Sequence, residues 1–124
     1  MKLITHNMLT SKSLKGVNVG FPLKICATEV KEVAVDFNPE FVTRMIPKLD
    51  WDALCQAAES LGCLNDLPRS VNPNHENDEE FLKKAHHVLL EVEVIEGELV
   101  CPETGRKFPV NEGIPNMLLN EDEV

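Results

Sequence analysis

The chain has 124 residues, 43% of them hydrophobic and 27% charged, with a formal net charge of −9. That length suits one compact domain, or two small lobes sharing a core, able to fold without disulfide staples. The acidic balance excludes the dense basic face with which a protein grips nucleic acid unaided. No apolar run approaches the roughly 18 residues that would cross a membrane.

Charge is distributed unevenly. Residues 1–35 carry five basic and two acidic groups, residues 36–93 five and twelve, and residues 94–124 two and seven. If the protein acts in an RNA pathway, another component should hold the RNA. The N-terminal segment is too polar for a signal peptide. The four cysteines, Cys26, Cys55, Cys63 and Cys101, are therefore expected as free thiols in a reducing compartment. With no basic nuclear-localisation cluster in view, cytoplasm and nucleus are both open.

In chain order, residues 1–8 alternate in part (Leu3 and Thr5 against Ile4 and His6) and predict a strand or a strand running into a turn. Residues 15–20 hold two glycines and an asparagine and predict a loop. Residues 21–27 predict an extended piece, pushed to a sheet edge or strand start by Pro22. Residues 29–36, with Val30, Val33 and Val35 set among polar residues, predict another strand.

Character changes at Asn38 and Pro39, an N-cap followed by a proline suited to the first helical position. Phe41, Val42, Met45 and Ile46 follow at helical spacing, and Pro47 ends the run. Asp50 caps a second helix, whose face is Trp51, Leu54, Cys55, Ala58 and Leu61, and Gly62 stands where a C-terminal cap belongs. Residues 64–76 predict a loop. Asn77 with Glu80 predicts a capping box for a third helix, whose apolar face is Phe81, Leu82, Ala85, Val88, Leu89 and Val92. On that helix His87 is expected to pack and His86 to be exposed. The helix should hand over to a strand near residues 91–95. Residues 98–101 and 107–110 flank the turn 102–106 as a hairpin, and residues 111–113 form another turn. Residues 120–124 predict a solvated tail.

The sheet-forming pieces thus lie at both ends of the chain and the helices between. The expected class is α+β: a small antiparallel sheet from both termini (1–36 and 94–124) with an inserted helical lobe (37–93).

The late turn, Cys101-Pro102-Glu103-Thr104-Gly105, has the first cysteine and the glycine of a Cys-x-x-Cys-Gly zinc knuckle, but threonine stands at the second cysteine position. A neutral hydroxyl is a poor zinc ligand. The ligand set is incomplete, and no metal cofactor is expected. Cys26 and His6 are the other candidates considered. The adjacent His86 and His87 diverge by about 100° on a helix and cannot share a metal easily. No nucleophile elbow, P-loop or dinucleotide fingerprint occurs, so no catalytic residue is assigned. Residues 114–119 are nearly all apolar, with Pro115 barring a central strand. A sheet-edge position would leave one side free for strand addition by another protein.

The opening residues 1–9, the blocks 36–41, 45–51 and 86–92, the turn 101–106 and the run 113–119 together resemble the eukaryotic tRNA-methyltransferase activator subunit family, also called the multifunctional methyltransferase subunit. The blocks fall in the same order across essentially the whole chain, and the closing residues 120–124 look most like plant members. The resemblance implies a fold, a small zinc-ribbon-like antiparallel sheet from both termini with an inserted helical lobe, and a role as a non-catalytic activating and stabilising subunit, not an enzyme. It would form heterodimers with several S-adenosylmethionine-dependent methyltransferases acting on tRNA, rRNA and a translation release factor, and would contact RNA mainly through them. Cytoplasm and nucleus are the expected locations. In the metal-binding branch four cysteines hold zinc. Here the early pair falls near Ser11 and Gly16 and the late pair at Cys101 and Thr104, so one cysteine is left. The expected docking residues are Leu3, Phe21, Ile114, Pro115, Asn116, Met117 and Leu118. The alternative is a stand-alone zinc-ribbon-like module binding nucleic acid or protein.

Overall fold

The computed structural model describes residues 1–62, 67–71 and 73–124. The predicted loop 64–76 falls partly outside them, and so does Cys63. Four antiparallel strands form one sheet in the order β1 (Lys24–Glu32), β2 (Val92–Val100), β3 (Lys107–Asn111), β4 (Ile114–Pro115). Ile25, Leu99 and Phe108 stand in one cross-strand row, each at most 7% exposed, and Val94 and Val110 extend the same buried face. Such rows are the unit of sheet stabilisation, because cross-strand neighbours shield one another from water. Gly97 sits opposite Ala27 because nothing larger fits: a Cβ there would lie 2.5 Å from the Cys26 carbonyl oxygen and 2.8 Å from Ala27 Cα.

Helices between β1 and β2 supply the other side of the core. α2 (Pro39–Met45) starts where expected, with Asn38 Oδ1 accepting from the Phe41 amide at 3.1 Å, and it runs into a 3₁₀ turn, Ile46–Lys48. α3 (Trp51–Ser60) is capped by Asp50, whose Oδ1 accepts from the Ala53 amide at 3.0 Å. Its Trp51, Leu54, Cys55 and Ala58 are buried, and Gly62 ends it at φ 71°, a left-handed conformation that glycine adopts without strain. α4 (Glu79–His86) continues as a π-helical stretch, His87–Glu91, into β2. One apolar cluster joins Leu54, Leu82 and Leu89 to Leu99, Phe108 and Val110. The fold is α+β with a four-stranded antiparallel sheet. The zinc-ribbon likeness expected from the sequence is not confirmed, and among the described residues no group of three or more His, Cys, Asp or Glu stands together.

Several elements differ from the sequence-based expectation, each for a tertiary reason. Residues 1–8 are not a strand. α1 (Leu3–His6) is one helical turn, with Leu3 and His6 both buried, and strand character survives only in the Lys2–Glu93 bridge beside it. Four residues are too few for periodicity to register. The two extended pieces 21–27 and 29–36 are one strand, β1, with a register shift after Ala27. A second shift after Glu29 restores the register, and beyond Ala27 the strand is exposed on both faces, with Val30 and Val33 at 40% and 46% instead of in the core. The cap of α4 is Asp78, whose Oδ1 accepts from the Phe81 amide at 3.1 Å, and not Asn77.

The two histidines exchange roles. His86 is 4% exposed and joins Leu82, Ala85 and Leu89 on the buried face. Its polarity is tolerated there because Nε2 donates to the Val35 carbonyl at 2.8 Å, and its ring meets Phe37 edge-on at 5.4 Å. His87 lies further out, with its two ring nitrogens 3.0 Å from Glu91 and 3.2 Å from Glu32. Glu91 also receives the Val35 amide at 2.9 Å, and its backbone carbonyl receives the Val33 amide at 2.8 Å. Residues 33–37 are thereby fastened to the π-helical stretch.

Candidate partner-docking edge

β4 pairs on one side only, through Val110↔Pro115 and Asn111↔Ile114. Beyond it the Asn116 amide donates to the Pro109 carbonyl at 2.9 Å, so the chain turns back along β3. Burial over 114–119 alternates strictly. Pro115, Met117 and Leu119 are half-buried, and Met117 and Leu119 pack on the core. Ile114, Asn116 and Leu118 face away, with Ile114 68% and Leu118 81% exposed. Period-two alternation at a sheet edge puts one set of side chains on the protein's own core and offers the other outward. The expectation that residues 114–118 form one docking surface therefore divides: Ile114, Asn116 and Leu118 are presented, while Pro115 and Met117 support them.

The other two expected docking residues lie elsewhere. Leu3 is 0% exposed, in the core, and presents no surface. Phe21 is half-buried just before β1, at a cis bond to Pro22, and β1 is the opposite edge of the sheet from β4. The structure does not bring Phe21 and the 114–118 run onto one strand edge.

The far end of this run is tied down. Residues 120–124 are not a free tail. A 3₁₀ turn, Glu121–Glu123, sets the Glu123 carboxylate on Arg106 at 2.6 and 3.1 Å, and the Glu123 backbone carbonyl accepts from the Lys15 amide at 2.6 Å. Arg106 lies over the Phe108 ring at 4.8 Å, a cation–π contact. The Arg106 guanidinium, with the Asn120 amide, holds the Glu123 carboxyl down to about 2.

Two loops meet here. The early loop, residues 11–20, is closed on itself by Ser11 and Gly20, whose backbones bond at 2.9 Å. The late turn is closed by the Gly105 amide on the Cys101 carbonyl at 3.0 Å. Glu103 joins them: its carboxylate accepts the amides of Asn18, Val19 and Gly20 at 3.0, 2.9 and 2.6 Å. Those three bonds hold its carboxyl below the usual range. Gly20 is required, since at φ 63° a Cβ would stand 2.6 Å from Ser11 Oγ. Nothing in the local sequence singles out Glu103, Arg106 or Glu123. Their partners lie far away in the chain, and no local spacing signals the pairing.

Cys101 is 2% exposed and takes a hydrogen bond from Ser11 Oγ at 3.0 Å. Burial raises its thiol. Hydrogen bonds from the Ser11 and Thr104 hydroxyls and from the Thr104 and Glu103 amides outweigh that and bring it to about 7. Its neighbour is a hydroxyl, not a base. At the four positions that the resemblance marks for zinc, this chain has Ser11, Gly16, Cys101 and Thr104, which amounts to one thiol and two neutral hydroxyls. Zinc takes thiolate, imidazole or carboxylate donors in tetrahedral sets of four. These residues do not fit it.

The remaining candidate ligands, His6 and Cys26, lie apart from Cys101 in role: one is buried, the other exposed. His6 Nε2 donates to the Leu23 carbonyl at 2.7 Å, and burial lowers the pKa of the ring. It lines an apolar groove with Leu23, Ile25, Ala53 and Ala57, between β1 and α3. Cys26 is an exposed free thiol on β1 opposite Glu98.

What emerges is a small α+β protein in which Leu118, the most exposed large apolar side chain among the described residues, stands just past the edge strand on a tethered segment, the outline of a partner-binding subunit. The profile described as Trm112p-like protein matches residues 2–113, and the chain belongs to that family. It is similar to the mouse multifunctional methyltransferase subunit TRM112-like protein, 58% identical over 99% of this chain and 98% of that one. It is equally similar to homolog A from Arabidopsis thaliana, 58% identical over the full length of both. The Saccharomyces cerevisiae subunit TRM112 is 31% identical over 96% of each chain. Among solved structures, a chain of the E. cuniculi Mtq2–Trm112 complex, described as responsible for methylation of the eRF1 translation termination factor, matches at a TM-score of 0.55. It is 19% identical and covers 95% of both chains, a likeness that speaks to the fold.

Proposed function

We propose that this chain is the non-catalytic activating and stabilising subunit of S-adenosylmethionine-dependent methyltransferases that act on tRNA, rRNA and a translation release factor. Full-length identity of 58% to relatives named multifunctional methyltransferase subunits supports the role. One observation carries the mode of action: Ile114 on the edge strand β4, and Asn116 and Leu118 in the chain just beyond it, are exposed while Met117 and Leu119 pack on the core. An edge of this kind extends a partner's sheet through main-chain hydrogen bonds and seats its outward side chains in the partner. Burial of Ile114 and Leu118 supplies the apolar term.

On this reading the sheet lobe, 1–36 and 94–124, carries the docking edge and the lobe 37–93 braces it. The subunit contributes no metal or catalytic group, and RNA is held by the partner. It works in cytoplasm and nucleus, wherever its enzymes do. Among the described residues no helix is long and apolar enough to cross a membrane.

The test is co-expression with a release-factor glutamine methyltransferase. The wild-type chain should co-purify with the enzyme, keep it soluble and raise its S-adenosylmethionine binding. Leu118→Asp should abolish all three with the subunit still folded. An intact complex with Leu118→Asp and Ile114→Asp together would overturn the docking edge.

A further inference from the structure

The early loop and the late turn correspond to the two halves of a metal knuckle, yet the donor set does not fit a metal. Leu14 of the early loop and Cys101 of the late turn reach the core, but most of both loops lies outside it, where polar cross-links must hold them against local opening. Three cross-links do so. Ser11 Oγ bonds Cys101 Sγ inside the contact. Glu103 reaches from the late turn to three consecutive amides of the early loop. Glu123 touches both halves at once, Arg106 of the late turn through its carboxylate and Lys15 of the early loop through its carbonyl.

We propose that Glu103 and Glu123 form a carboxylate clamp that closes this knuckle in place of a metal and, by anchoring the chain after Leu119, positions the docking run. The positioning half rests on the docking reading above. Its logic is geometric. Residues 114–119 are held at one end by the β3 register, through Val110↔Pro115 and the Asn116 amide on Pro109. At the other end they are held only four residues past Leu119, at Glu123 on Arg106. A segment pinned at both ends loses little further entropy when it pairs with a partner strand. A carboxylate accepting several amides, or paired bidentate with a guanidinium, has the charge-assisted bonds such pinning needs. Glu103 and Glu123 are thus positioning residues, acting on a surface they do not belong to.

The test compares wild type, Glu103→Gln and Glu123→Gln by amide hydrogen exchange on the free subunit and by affinity for a co-expressed release-factor methyltransferase. In Glu103→Gln, protection at Asn18, Val19 and Gly20 should fall by about threefold or more, and in Glu123→Gln the same should hold at Lys15. Helical amides such as Leu54 and Ala85 should be unchanged in both. Both variants should bind the enzyme more weakly, and the charge-swapped pair Arg106→Glu with Glu123→Arg should recover binding relative to either single change. Wild-type protection should be indifferent to a chelator, and the purified chain should carry no stoichiometric zinc. Unchanged protection in the Gln variants, or its loss on chelation, overturns the clamp. Opened loops with undiminished binding overturn the positioning role. Leu118→Asp, measured alongside, separates these outcomes from failure of the docking edge itself, since it alters the edge and leaves the clamp intact.

Discussion

Met117 and Leu118 are sequence neighbours that face opposite ways: Met117 packs on the core, and Leu118 is 81% exposed. A survey by hydrophobicity alone would treat them as one patch. Their difference yields the first prediction. Leu118→Asp should shift stability by no more than about 0.5 kcal/mol, the usual range for a surface change, while removing methyltransferase binding. Met117→Asp should cost about 1–3 kcal/mol by placing a carboxylate against apolar surface. Urea denaturation together with co-purification distinguishes them.

The histidines provide the second. His86→Ala removes a buried ring that bonds Val35 and touches Phe37, and should cost about 2–4 kcal/mol. His87→Ala loses only contacts to Glu91 and Glu32 at the periphery and should cost less than about 1 kcal/mol. Equal losses in thermal melts of the two variants would contradict the assignment.

His6 makes stability depend on pH. Burial lowers its pKa from the ordinary 6.5, so the unfolded chain binds the proton more readily than the folded one. The contribution is therefore complete above pH 6.5 and is lost as pH falls below that value. Wild type should melt progressively lower as pH drops below 6.5. In His6→Gln, whose amide can still donate to Leu23, this part of the slope should disappear. The carboxylates of Glu91, Glu103 and Glu123, all held below 4.5, add their own losses only in more acid solution.

Gly97→Ala tests the β1–β2 contact. The new methyl would lie 2.5 Å from the Cys26 carbonyl, with rigid backbone on the other side. A cost of about 3 kcal/mol or more is expected, read as a lowered melting temperature and poor recovery of folded protein.

Features that depend on neighbouring residues were legible in the sequence. The caps at Asn38 and Asp50, the Gly62 stop and the hairpin about residues 102–106 each involve partners a few positions apart. Features that depend on distant contacts were not. α1 is helical because Leu3 and His6 are drawn into the core, and one turn leaves no pattern. The irregularity after Ala27 concealed the continuity of β1. His86 reads as polar until the Val35 carbonyl is placed beside it. The docking run was visible as an apolar stretch, but its division into outward and inward residues needed the β3 register. Glu103 was invisible because its three amide donors come from a loop more than eighty residues away in the chain.

The pairing of Glu32 with Val92 and of Lys24 with Val100 bears on how the protein is made. During synthesis β1 leaves the ribosome with its inner face bare and must wait until the entire helical segment has followed before its partner strand exists. Long-range pairing of this kind folds slowly and exposes apolar surface meanwhile. Residues 114–119 emerge later still, directly behind β3, the strand on which they are registered, so the proposed docking edge follows in synthesis every strand that supports it.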